Sequence, residues 1–101
     1  MIEITMTDRA RTELLKVLRL AASSSIRLIR QGFGWVGPRL GMVLDEPGTE
    51  DQTVHLRGID FIYNKDDTAL LDQTFIDYRD SWYGIGFVIY SPASEPCEPY
   101  P

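Results

Sequence analysis

The chain has 101 residues, 44% of them hydrophobic, a formal net charge of −5 at pH 7 and a pI near 4.7. That length fits one domain with one real core, and the acidic balance argues against nucleic acid or an anionic membrane, whose phosphates need Lys and Arg. One cysteine and one histidine exclude a soft-metal site or a Cys/His catalytic centre built from this chain alone, so the sequence reads as a binding or accessory domain and not an enzyme.

Ile2 and Ile4 alternate with Glu3 and Thr5 as a short first strand. Thr7 is placed to cap a helix over about 7–22, with Asp8 near the positive end of its dipole. Ala10, Leu14, Val17, Leu18 and Ala21 form its apolar stripe. A strand over Ile26–Arg30 follows, then a glycine-rich stretch, Gln31–Pro38, and a strand over Leu40–Leu44. Asp45–Asp51 is an acidic turn. Val54–Leu56 and Ile59–Tyr63 are short strands around Gly58, Asn64–Asp67 is a turn, and Thr68–Leu71 is a helical turn. Strands over Phe75–Arg79 and Ile85–Tyr90 lead into a tail, Ser91–Pro101, with four prolines in eleven residues. The pattern predicts an α+β, mostly β domain: a compact sandwich or barrel of short strands with one N-terminal helix, spanning 1–92, and a proline-rich tail over 93–101. No leader or membrane-length apolar run is visible, and a lone cysteine suits a reducing compartment, so the cytoplasm is the expected location.

The chemical candidates are few. Gly32-Phe33-Gly34-Trp35-Val36-Gly37-Pro38 lacks the Lys and following helix of a phosphate loop, and its glycines suit a turn with positive φ. Phe33 and Trp35 are costly to expose on a loop unless they contact something. His55 has no partners at ligand spacing, and the acidic pairs Asp45/Glu46, Glu50/Asp51 and Asp66/Asp67 read as solvated turn residues.

Ile2-Glu3-Ile4-Thr5, Thr7-Asp8-Arg9-Ala10, Met42-Val43-Leu44-Asp45-Glu46-Pro47, Gly58-Ile59-Asp60-Phe61, Leu70-Leu71-Asp72-Gln73-Thr74-Phe75-Ile76-Asp77-Tyr78 and Gly86-Phe87-Val88-Ile89-Tyr90-Ser91-Pro92 occur in that order. In order and spacing the chain resembles the HesB-like family of A-type iron–sulfur cluster carriers and assembly proteins along nearly its whole length. The resemblance implies that family's compact, mostly β fold and a tendency to self-associate. It also implies a ligand loop at Gly34, Trp35 and Gly37, and a C-terminal ligand at Cys97. The family uses three cysteines; here Trp35 stands at the loop position, and Cys97-Glu98-Pro99 replaces a two-cysteine motif. Tryptophan has a donor N–H and no acceptor, so it cannot replace a thiolate. Iron–sulfur clusters are generally held by four thiolates. The expectation is therefore a divergent member with no cofactor held by one chain, working through protein partners of iron–sulfur assembly or through self-association. Iron or a cluster enters only across chains, through paired Cys97 residues with Glu95 or Glu98. The alternative is a small-molecule or peptide binding module using Phe33, Trp35 and Trp82.

Overall fold

The computed structural model describes residues 2–22, 25–33, 38–81 and 84–94. In chain order these form β1 (Ile4–Met6), α1 (Asp8–Ala21), β2 (Ser25–Phe33), β3 (Pro38–Asp45), β4 (Asp51–Leu56), β5 (Ile59–Asn64), a 3-10 turn (Lys65–Asp67), α2 (Thr68–Leu71), β6 (Thr74–Ser81) and β7 (Gly84–Tyr90). One sheet has three strands in the order β1-β6-β7 and the other four in the order β3-β2-β5-β4. The mostly β architecture with an N-terminal helix is the one expected, and the 68–71 helical turn is present as well. No helix among the described residues is long and apolar enough to cross a membrane.

The core follows from period-two alternation on strands and the apolar stripe on the helix. Ile26 and Leu28 of β2, Leu40 of β3, and Ile59, Phe61 and Tyr63 of β5 turn inward from the four-stranded sheet. They meet Ile76 and Ile89 from the other sheet, with Ala10 and Leu14 of α1 and Leu71 of α2. Helix α1 lies along β6 and against β5.

Short polar side chains bind the three-stranded sheet to its surroundings. The Thr7 hydroxyl accepts from the Ala10 amide as the helix cap and donates to Asp77 Oδ1 at 2.7 Å, fixing the start of α1 on β6. Burial would raise the Asp77 pKa, but the Thr7 hydroxyl, the Tyr78 amide and Arg79 outweigh it and hold the carboxyl below its ordinary value. Asp72 Oδ1 accepts from the Glu3 and Gln73 amides at 2.9 and 3.0 Å. These bonds set the parallel β1–β6 register, with Ile4 opposite Thr74. Asp72 and Asp77 of the Leu70–Tyr78 motif thus hold the Glu3 amide before β1 and the Thr7 hydroxyl before α1, both far away in sequence.

The four-stranded sheet carries one unusual connection. β3 and β4 occupy its opposite edges and run parallel, because β2–β3 and β4–β5 are antiparallel pairs while β2–β5 is parallel. The segment 46–50 must therefore return across the outer face of the sheet. Arg27, on that face, fastens it at both ends. Its Nε donates to Asp45 at 2.7 Å, and its Nη1 and Nη2 donate to the two Asp51 oxygens at 2.8 and 2.7 Å. Ile62 projects to the same outer face and is fully buried, as a side chain beneath such a crossing must be. This corrects the reading of the acidic turn as merely solvated. Asp45 and Asp51 are ion-paired, and the Arg27 bonds, with the Gly48 amide, hold the Asp51 carboxyl down at about 2.

Candidate functional site

The predicted ligand loop is the tip of the β2–β3 hairpin. The strands pair in regular register from Ser25 opposite Asp45 to Arg30 opposite Leu40, then slip, so that Phe33 faces Pro38. Two residues, Gln31 and Gly32, therefore oppose Arg39 alone, a β-bulge. Gly32 takes φ of +117°, a conformation open to glycine and strained for other residues. Below the bulge, the Gln31 side chain lies so close over buried Gly41 that a Cβ at position 41 would overlap its carboxamide. The tip is thus shaped by a glycine bulge and a glycine shelf under Gln31. Gly34, Trp35 and Gly37 lie outside the described residues, as do Cys97, Glu95, Glu98 and Trp82; Phe33 is placed at the end of β2. The start of the tail is anchored: the Ser91 hydroxyl donates to the Leu70 carbonyl, and the Ser94 hydroxyl accepts from the Ser91 amide at 2.8 Å.

His55 lies on β4 between the half-buried Val54 and Leu56, points away from both and stands exposed on the outer face. Sequence reasoning missed its partner. Cross-strand pairing sets it opposite Asp60, and Nδ1 bonds the Asp60 carboxylate. The dyad lacks a third group: among the described residues no cluster of three or more His, Cys, Asp or Glu side chains could hold a metal ion. The donor set of the sequence tells the same story for an iron–sulfur cluster. A chain with one thiol does not fit the thiolate count a cluster takes.

Similarity to known proteins agrees with this geometry. No family model matches the chain. A protein encoded in the nifU 5′ region of Azotobacter vinelandii, itself of uncharacterised function, is 29% identical over 98 residues, covering 93% of this chain and 92% of that one. Among solved structures, IscA with a 2Fe–2S cluster superposes with a TM-score of 0.76 at 20% identity, covering 89% of this chain and 86% of that one. SufA of Escherichia coli, involved in biosynthesis of iron–sulfur clusters, gives 0.69 at 21% identity, with 91% and 82% covered. A protein from Aquifex aeolicus gives 0.67 at 22% identity, with 90% and 93% covered. The fold implied by the HesB-like motifs is therefore the fold found, shared with IscA and SufA.

Proposed function

We propose that this protein serves iron–sulfur cluster assembly through contacts with other proteins, using the A-type carrier scaffold without holding a cluster itself. The observation that carries the reading is a contrast. The scaffold superposes on IscA over 89% of the chain, and its bulged β2–β3 hairpin ends in a loop with Trp35 where the family resemblance places a cysteine. A tryptophan there supplies a large amphipathic anchor of the kind that dominates protein interfaces. In this role Gly34 and Gly37 let the loop turn and present Trp35, while Cys97 has no catalytic part.

Anaerobic reconstitution with iron and sulfide, read by visible absorption for the native chain beside Cys97→Ser, tests the cluster half of this reading. Neither protein is expected to develop thiolate-to-iron charge-transfer bands. Bands in the native chain that vanish in the variant would show a cluster held between chains and overturn it. For the contact half, an assembly protein of IscA-containing systems is titrated into the native chain. Binding is expected to weaken roughly tenfold or more in Trp35→Ala, the loss typical of a central aromatic anchor.

A further inference from the structure

A second surface lies at the opposite end of the β2–β3 hairpin from Trp35. Leu14 and Val17 of α1, Met42, Val43 and Leu44 of β3, and Phe87 of β7 line an apolar cleft of about 170 Å³. β3 and β7 lie near each other but belong to different sheets. Among the described residues the outer side of β3 therefore pairs with no strand. Exposed sheet edges are ordinarily blunted by charge, proline or a bulge. The bulge of this hairpin lies toward the tip, at Gln31 and Gly32, and Met42-Val43-Leu44 has neither charge nor proline. Val43 is 43% exposed and Leu44 39%, and alternation sends their side chains to opposite faces of the sheet.

The cleft is smaller than the roughly 300–1,000 Å³ of small-molecule pockets and suits one large apolar side chain. Val43 decides how that side chain arrives. It stands beside Arg27 on the outer face, where a helix laid in the cleft would not cover it. A strand added along β3 covers both Val43 and Leu44, because its own side chains alternate between the two faces. Charge sets what stands beside the anchor. Leu44 is followed by Asp45, which shares the Arg27 guanidinium with Asp51, so these three groups are net negative. Exposed Glu50 of the same crossover adds to that charge, in a chain of net charge −5. The cations Lys16 and Arg19 belong to α1, which forms the other wall of the cleft. A basic partner fits this edge better than a second copy, which would bring the same negative charge.

We infer that the β3 edge takes an extended segment of a different protein, added as a further strand. One large apolar side chain of that segment fills the cleft, and a Lys or Arg stands beside Asp45. Main-chain hydrogen bonds supply the affinity of such a contact and the pocket its specificity. The site uses nothing of the Trp35 loop and stands whether or not the assembly role is correct.

Fluorescence anisotropy of a labelled peptide, Lys-Thr-Val-Phe-Val-Thr-Lys, titrated with the full chain at low salt tests it. The expected Kd is on the order of 10–100 micromolar, as suits one anchor and a short ladder. Replacing the peptide's phenylalanine by serine should weaken binding roughly tenfold or more, and exchanging its lysines for glutamates should weaken it as well. An added strand bonds β3 through alternate amides only. Methylating one alternate set of peptide nitrogens should therefore abolish binding, while methylating the other set should spare it. Loss with both sets, as for a bound helix, or with neither, overturns the inference. In the protein, Leu44→Lys should weaken binding roughly tenfold, with an unchanged circular dichroism spectrum showing that the fold is kept. If that variant unfolds, the peptide series on the native chain still decides. No binding at millimolar concentration overturns the inference, and so does binding that a folded Leu44→Lys leaves unchanged. A dimer in sedimentation that Leu44→Lys dissolves would give the edge to a second copy and overturn it too.

Discussion

The two ends of the β2–β3 hairpin are held by different physics. At the open end, Arg27 spans from Asp45 to Asp51 and fastens a connection across the whole sheet, with an apolar cleft alongside. At the tip, shape comes from backbone: a bulge at Gly32 and a shelf at Gly41 under Gln31. An end shaped by backbone conformation depends on the glycines that allow it. An end held by a charged clamp depends on each of the three side chains in it.

The strongest way to break this comparison is to remove what both ends share. Phe61 is fully buried and sits opposite Ile26 in the core, so Phe61→Ala should cost about 3–5 kcal/mol. Denaturant unfolding read by tryptophan fluorescence and by circular dichroism should shift together. Separate transitions would show that tip and open end are independent units. A smaller, local effect is expected at the tip. Gly41→Val drives a side chain into Gln31 and should cost about 1–3 kcal/mol, the usual range for overpacking. Adding Gln31→Ala should recover much of that loss, and failure to do so would place the strain in β3 itself.

The smallest effect is expected from acid at the open end. The folded-state pKa of Asp51 is depressed to about 2 and that of Asp45 is lowered, in both cases chiefly by hydrogen bonds from Arg27. Their contribution is therefore fully present above the unfolded carboxylate value near 3.8 and is lost as pH falls from there toward about 2. Thermal unfolding between pH 5 and 2 should show Tm falling in that window. Arg27→Met should lower Tm by several degrees at pH 7 and flatten the acid slope. A slope unchanged by Arg27→Met would assign it to other carboxylates, Asp77 first among them.

Much of the local structure was legible because it is specified by near neighbours. The Thr7 cap, the Ala10–Ala21 stripe and each of the seven strands rest on spacing within a few residues. The Gly-rich stretch was rightly read as a place for positive φ, found at Gly32. The Arg27 clamp was not legible, since its carboxylates lie 18 and 24 positions away and meet only once the crossover is in place. The His55–Asp60 bond escaped notice for a related reason: it needs the β4–β5 register, which follows from the turn between the strands and not from either strand alone.

The sequence by itself determined the element order, the inward set of core residues and the absence of enough thiols in one chain for a cluster. These depend on residue type and short-range periodicity. Only the tertiary structure decided that the acidic turn is a clamped crossover, that Gly41 makes room for Gln31, and that Leu14, Met42 and Phe87 meet around one cleft. Each of these joins side chains from separate strands or helices, and their distance is set by how two sheets and a helix share one core.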